Sequence, residues 1–363
     1  MMSRRRRAHD CSARARGDRG AHGRDGGRRA SATLIGCTER ARSMECSLAV
    51  GGSGGVSVAS RAMRALPVGV PKLLVSTMAS GDVSPYVGES DVTLMYSVVD
   101  VAGINSISEQ VFDNAAAAIA AMAAAHHARR SHSGAEHLPL VGLSMFGLTT
   151  PAVDEARAEL VELGYEPLVF HATGAGGRAL EKLAGDGQLA GVLDLTTTEL
   201  ADDLVGGVLT AGPDRLTAAG RAGLPQVVSL GALDMVNFGP REHVPAQFDD
   251  RDFVVHNATV TLMRTTREEN AELGHLIGEK LADARGPSAL IIPCGGVSGI
   301  DAEGAPFHDP DADAALFDAV RGALAGSHVD VIEDDRHIND QGFGRDAARR
   351  LHALISAREP NEE

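Results

Sequence analysis

Residues 47–64 read SLAVGGSGGVSVASRAMR, and this run decides the fold class. Residues 47–50 have the length and apolar character of a short buried strand. Residues 51–55 are four glycines and a serine, and residues 56–65 carry the spacing of a helix. A strand passing through glycines into a helix is half of a βαβ unit. One such unit cannot bury both faces of a parallel sheet, so further strands must lie beside it.

They follow downstream. Strands are expected at 72–76 and 92–96, with an Ala-rich helix at 112–130, giving a first unit over 46–133 whose sheet looks incomplete. A small, polar stretch at 131–137 reads as a linker. A second unit, 138–357, sets strands at 140–144, 167–171, 191–194, 226–230, 289–293 and 329–334 against helices at 151–163, 178–184, 266–283, 311–324 and 344–357. Regular alternation implies parallel crossovers. The expected fold is α/β, two Rossmann-like subdomains with mostly parallel sheets, the first incomplete, and 358–363 is a tail.

Upstream the texture changes. Residues 1–44 hold twelve Arg against four acids, +8, so the rest carries −23 of the net −15. An acidic body argues against nucleic acid as a partner, because phosphate neutralisation needs a basic face. The basic head has neither aromatics for stacking nor helical periodicity, so 1–45 reads as a disordered Arg-rich segment. One hypothesis is that it comes from another reading frame or a wrong start in a GC-rich gene; resequencing that finds the frame intact would sink it. No apolar run follows the arginines as in a secretory signal, and none is long enough to span a membrane. Cys11, Cys37, Cys46 and Cys294 show neither C-x-x-C spacing nor clustering with His. No metal site or disulfide framework is expected, and a cytoplasmic location fits.

In open parallel sheets ligands bind beyond the carboxyl ends of the strands. Gly51, Gly52, Ser53, Gly54 and Gly55 would let backbone N–H groups approach phosphate oxygens at a helix N-terminus. The run lacks the G-K-[ST] ending of a P-loop and the full G-x-G-x-x-G spacing. Ser76, Thr77, Ser80, Gly81 and Asp82 follow the next strand, and Asp82 is a candidate to hold Mg2+ through water. In the second unit, Thr173, Gly174, Gly176 and Gly177, then Thr196 and Thr197, then Gly295, Gly296 and Ser298 stand at equivalent positions. These loops hold more Gly, Ser and Thr than tight turns require, and point to a nucleotide or other small phosphorylated ligand.

His171, Asp194, Glu199, His256, His308 and His337 are the candidate catalytic groups, all near expected strand ends or late loops of the second unit. Each has a structural alternative: a histidine as hydrogen-bonder, Glu199 in the first turn of a helix, Asp311 and Asp313 as caps. No nucleophile–base pair follows from spacing, because a triad is defined by geometry.

The runs VGGSGGVSVASRAMRALPVGVPKLLVSTMASGDVSPYVG (50–88), DLTTTELADDLVGG (194–207), GALDMVNFG (231–239), PCGGVSGIDAEGAPFHDP (293–310) and DRHIND (335–340) resemble the Tm-1-like ATP-binding family over about residues 45–357. The resemblance implies two Rossmann-like subdomains, ATP as ligand and a homodimer, with the loops at 51–55 and 76–82 as nucleotide contacts. Relatives are expected to carry ordered βα structure where this chain has residues 1–45.

Three readings follow. The chain is an ATP-binding protein of unknown reaction; or a regulatory, dimeric binding module without turnover; or an enzyme acting on a small phosphorylated or carboxylated metabolite through the His/Asp loops of the second unit. Both units carry suitable loops, so the residues alone leave the nucleotide's place open.

Overall fold

The computed structural model describes residues 33–36, of which the backbone alone is considered, 46–131 and 138–358. The Arg-rich segment, apart from 33–36, most of the linker and the tail from 359 lie outside the described residues; at 33–36 the chain is a paired strand, not the disorder expected there.

The first unit runs β1 (Thr33–Gly36), β2 (Ser47–Gly51), α1 (Ser53–Arg64), β3 (Lys72–Ser76), α2 (Ser84–Val87), β4 (Thr93–Tyr96) and α3 (Ser106–Ser131). Its sheet has the order β1-β2-β3-β4; β2, β3 and β4 are parallel, and β1 pairs antiparallel to β2. Alternation along the strands sends Ala49, Leu74 and Leu94 toward α1, and Leu73, Val75 and Met95 toward α3. Two helices start earlier than hydrophobic spacing predicts. α1 begins at Ser53, because an apolar pattern cannot register an opening turn made of Ser and Gly. α3 begins at Ser106, where Asn105 Oδ1 accepts the Ile107 and Ser108 N–H groups.

The second unit runs β5 (Leu140–Met145), α4 (Thr150–Glu162), β6 (Glu166–His171), α5 (Ala175–Gly185), β7 (Gly191–Thr196), α6 (Glu199–Val205), α7 (Ala218–Ala222) and β8 (Gln226–Gly231). It continues with β9 (Met235–Phe238), β10 (Phe253–Asn257), β11 (Val260–Arg264), α8 (Arg267–Ala282), β12 (Ser288–Pro293), α9 (Pro310–Leu324), β13 (Asp330–Asp334) and α10 (Phe343–Ser356). Six parallel strands take the order β13-β12-β8-β7-β5-β6. The order reverses between β5 and β7, the kind of position where ligand crevices open in such sheets. Leu143, Leu193 and Ile291 face α4 and α10, while the neighbouring Val228, Leu290 and Ile292 face α8 and α9. The start of α8 is fixed by a capping box: Thr266 Oγ1 accepts the Glu269 N–H at 3.1 Å, and Glu269 Oε2 accepts the Thr266 N–H at 2.8 Å.

The sequence reading has no counterpart for β9, β10 and β11. They form a separate antiparallel sheet of order β10-β11-β9, inserted between β8 and α8. Thr265 N–H returns to Asp234 C=O at 3.1 Å, closing the excursion where it left.

The two units meet along α5. Lys182 Nζ donates to Leu66 C=O at 3.1 Å, Val68 N–H to Asp186 Oδ2 at 3.2 Å, and Gln188 Nε2 to Val68 C=O at 2.9 Å. The turn after α1 is thereby tied to the second unit.

Candidate functional site

The carboxyl edge of the first sheet is set by register. Gly51 pairs with Ser76, and Ser76 with Tyr96, so the three stand in a row on one face of β2, β3 and β4, the face α1 packs on. α1 starts beyond Gly52 with no side-chain cap among the described residues, and its first backbone bond runs from Val56 N–H to Gly52 C=O at 2.9 Å. Ahead of it lie the N–H groups of Ser53, Gly54 and Gly55, with Ser53 and Gly54 exposed. Groups in this position are the orphan donors of a helix start and bear its partial positive charge. Tyr96 is 45% exposed at the end of β4.

The neighbouring hydroxyl loop is partly spent on itself. Ser76 Oγ accepts the Met78 N–H at 3.0 Å, and Ser80 Oγ donates to Thr77 C=O at 3.2 Å. Asp82 Oδ1 accepts both the hydroxyl of Ser84, at 2.6 Å, and its N–H, at 3.0 Å. Those bonds, hydroxyl first, hold the Asp82 carboxyl below its ordinary range.

The equivalent turn of the second unit is already filled. Glu199, fully buried, accepts the Gly174 N–H at 2.6 Å and the Gly177 N–H at 3.0 Å through Oε1, at the N-terminus of α5. A Cβ on Gly177 would lie 2.1 Å from Glu199 Oε2, so glycine there makes room for the chain's own carboxylate. Glu199 Oε2 accepts from Arg215 Nε at 2.6 Å, and Arg215 also holds Asp194 through both terminal nitrogens, Nη2 to Oδ1 at 2.7 Å. Burial works against the charge on Arg215, but Asp194 and Glu199 outweigh it and its pKa rises well above the ordinary value. Asp194 also accepts from Ser144 Oγ at 2.6 Å. Thr196 Oγ1 shares a hydrogen bond with Thr149 Oγ1 at 2.7 Å, and Thr197 donates to Ser229 C=O at 3.2 Å. Four residues expected as ligand contacts or catalysts (Asp194, Thr196, Thr197 and Glu199) thus sit in a closed internal network.

A second buried cluster lies farther along the edge. Ser298 Oγ donates to Asp234 Oδ2 at 2.7 Å, Val297 N–H to Asp301 Oδ2 at 2.8 Å, and Arg264 Nη2 to Asp313 Oδ1 at 2.8 Å. Three carboxyls surround one guanidinium, and Oδ1 of Asp234 and of Asp301 has no hydrogen bond among the described residues. Burial, then the charge of Asp301, pushes Asp234 up to about 8 and Asp313 up to about 7. Asp313 therefore pairs with Arg264 instead of capping α9; the cap is Asp309, whose Oδ1 accepts the Ala312 N–H at 3.1 Å. His337 is fixed as a hydrogen-bonder. Its Nδ1 accepts the Asn339 N–H at 3.0 Å, so Nε2 donates to Ser298 C=O at 2.8 Å. Gly295 and Gly296 admit this loop, since a Cβ on Gly296 would lie 2.0 Å from Asp301 O.

Of the six candidate catalytic groups, Asp194 and Glu199 share Arg215 in the buried network, and His171 and His256 line one cavity. That cavity, of about 260 Å³, lies between the ends of β5 and β6 and the β10–β11 hairpin, with Thr173 on the same wall. His308 is exposed and outside it. Arg215, Arg264, Asp301 and Phe146 were missed by sequence reading. Arg215 stands in an ordinary-looking loop, and nothing local marks it as the centre of a buried network. The hairpin did leave a signal: FVVHNATVTLM is β-branched on both sides of an Asn turn.

Two family models match the chain: the N-terminal domain of uncharacterised protein family UPF0261 over residues 3–128 and its C-terminal domain over 138–355. A UPF0261 protein of Clostridium tetani is 53% identical over 84% of this chain and 74% of its own length. One from Rhizobium meliloti is 50% identical over 82% of this chain and 74% of its own length. The ToMV resistance protein Tm-1(GCR237) of Solanum lycopersicum is 45% identical over 82% of this chain, which spans 40% of the tomato protein. The tomato ToMV susceptible protein tm-1(GCR26) is equally 45% identical. The expected Tm-1-like kinship therefore holds.

Proposed function

The chain belongs to the uncharacterised protein family UPF0261, and from that premise we propose that it binds ATP at the carboxyl edge of its first sheet. The observation that carries this is the state of the two glycine-rich helix starts: among the described residues no side chain accepts from the first-turn N–H groups of α1, whereas Glu199 closes those of α5. The phosphates would take the N–H groups of Ser53, Gly54 and Gly55, and the base would lie against Tyr96, roughly 10 Å away across two strand spacings. Mg2+ would travel with the phosphates, with Asp82 holding one of its waters through Oδ2, since Ser84 takes Oδ1. A homodimer is part of the same reading. Virus resistance is not carried over, because the resistant and susceptible tomato proteins are equally similar to this chain.

Isothermal titration of ATP into the full chain, with and without Mg2+, tests the proposal. One saturable site per chain, strengthened by Mg2+, is expected. The absence of saturable heat under both conditions would overturn it. Hydrolysis assayed in the same samples separates an enzyme from a binding module.

A further inference from the structure

We propose that Lys280 is the nucleophilic amine of a second, covalent binding site, independent of the nucleotide reading, which takes a short hydroxylated aldehyde as an imine. Only three of the 34 lysine and arginine residues are lysines, and two of the three are fully engaged. Lys72 Nζ donates to Asp91, to Pro67 C=O at 2.7 Å and to Val70 C=O at 2.9 Å. Lys182 Nζ reaches both carboxylate oxygens of Asp186 at 2.8 Å and Leu66 C=O at 3.1 Å. An ammonium has three donors, and each of these two side chains has three acceptors for them. Lys280 differs. Among the described residues its Nζ makes one hydrogen bond, to Pro213 C=O at 2.6 Å, and no ion pair. One donated N–H and a free lone pair is the arrangement that suits a neutral amine.

The amine stands in the wall of a cavity of about 260 Å³ between α7 and the C-terminal half of α8. A cavity of roughly 150 Å³ takes benzene, so this one has room for about ten non-hydrogen atoms. Leu276, Lys280 and Asp283 have the spacing of one helix face, and Gly220 and Arg221 of α7 lie opposite. Arg285 N–H donates to Gly220 C=O at 2.9 Å and ties the two helix ends together. Both helices lead into strand starts, so the cavity opens at the amino edge of the sheet, away from the strand-end loops. Burial pulls the Lys280 amine below its ordinary value and Arg221 adds to this, against the opposing charge of Glu181, Asp214 and Asp203. A lysine depressed by burial in a cleft is the usual form of an imine-forming residue.

The chemistry needs no co-reactant. Nζ attacks the aldehyde carbon and a C–N bond forms as the C–O π bond opens. Both amine protons then leave with the carbonyl oxygen as water, and a neutral imine remains. The lining sets the class of aldehyde. Glu279 and Asp283 share the cavity and make no ion pair among the described residues, and Arg221 is already paired with Asp214 at 3.2 Å. Ionised carboxylates only accept, so they favour a ligand carrying hydroxyls and repel a keto acid or a phosphate ester. The Thr217 hydroxyl adds a further polar contact on the same wall.

Glyceraldehyde is the probe, with glyoxylate as the anionic aldehyde and sodium cyanoborohydride to trap the imine as a secondary amine. Peptide mass mapping of the full chain at pH 7.5 reads each lysine and the N-terminal amine separately. Lys280 is expected to be labelled at least tenfold faster than Nα-acetyl-lysine in the same tube, with a rate that saturates in glyceraldehyde. Glyoxylate should label it at least tenfold more slowly, and Glu279→Gln with Asp283→Asn, both at exposed positions, should erase that preference. Lys280→Arg keeps a cation beside Pro213 and should lose the adduct with its unfolding midpoint unchanged. A lysine that is merely accessible would react like the free amino acid. Labelling of Lys280 no faster than Nα-acetyl-lysine, a rate strictly linear in glyceraldehyde, or equal labelling by glyoxylate would each overturn the assignment.

Discussion

The turn before α1 and the turn before α5 read almost alike: a strand, a cluster of glycines and a small polar residue, then a helix. In the folded chain they differ in what meets the helix N-terminus. At α5 a buried carboxylate from β7's end takes two N–H groups and is itself neutralised by Arg215. At α1 the first-turn glycines stand at the edge of the sheet, and among the described residues no side chain caps the helix. Glycine serves close approach in both turns. In one the approaching group belongs to the chain, and in the other it is left to a ligand. The same local pattern thus marks a structural joint in one unit and a candidate binding site in the other.

The largest effect should come from breaking the internal partner. Glu199→Ala removes the acceptor for Gly174 and Gly177 and leaves Arg215 buried with one carboxylate fewer. Breaking such a buried pair costs about 3–5 kcal/mol, to be read from urea unfolding. The variant also opens the α5 end, so sulfate should raise its unfolding midpoint more than that of the wild type. A cost under about 1 kcal/mol, with no extra response to sulfate, would mean that the carboxylate does not close this turn.

Next in size is a pH effect that separates the two units. Burial holds the carboxyls of Asp202 and Asp313 up to about 7 and Asp234 up to about 8, all in the second unit, against 3.8 for the free side chain. A raised acid is protonated in the folded state while the unfolded chain has already ionised. Its stabilisation is complete below about pH 4 and is lost as pH rises through the folded value, at about 1.4 kcal/mol per pH unit traversed for one group. Asp82 of the first unit is shifted the other way, so its window lies below about pH 4 and does not overlap. Unfolding free energy is therefore expected to fall between pH 5 and 8.5. Asp234→Asn should remove the fall that continues above pH 7, where Asp202 and Asp313 no longer contribute, and be the more stable protein at pH 8.5. Parallel pH profiles for variant and wild type would count against the buried proton.

These differences show what a sequence can and cannot reveal. The alternation of strands and helices was legible because hydrophobic period and glycine placement are local. Gly177 was legible as a glycine needing close approach, but not the identity of what approaches, which comes from twenty-two residues later in Glu199. The network around Arg215 depends on side chains from β7, α5, α6 and a loop, and no spacing encodes that convergence. His171 and His256 were legible as candidates, yet their meeting depends on the β9–β11 sheet, which an expectation of βα alternation passed over. The start of α1 was misplaced by three residues for a related reason: glycine is a poor helix former, and tertiary packing overrides propensity.

On the first unit's side, Gly54→Val is the sharper test. Gly54 is exposed in the first turn of α1, so folding stability should change by no more than about 0.5 kcal/mol. A branched side chain over the helix start should nonetheless obstruct phosphate and weaken ATP at least tenfold, about 1.4 kcal/mol. Unchanged ATP affinity in a folded Gly54→Val protein would take the phosphates away from α1 and dissolve the contrast between the two turns.

The smallest expected effect tests whether the row Gly51–Ser76–Tyr96 reads a nucleoside or only its phosphates. Tyr96 is half-exposed at the end of β4, so Tyr96→Ala should fold normally. Stacking of a base on an aromatic ring is worth about 1–3 kcal/mol, and an open edge should give the lower end. Wild type should therefore bind ATP several-fold more tightly than tripolyphosphate, and in Tyr96→Ala that preference should collapse while tripolyphosphate affinity stays put. A structural role for Tyr96 would weaken both ligands together. Retention of the preference would place the base elsewhere along the edge, with α1 still holding the phosphates.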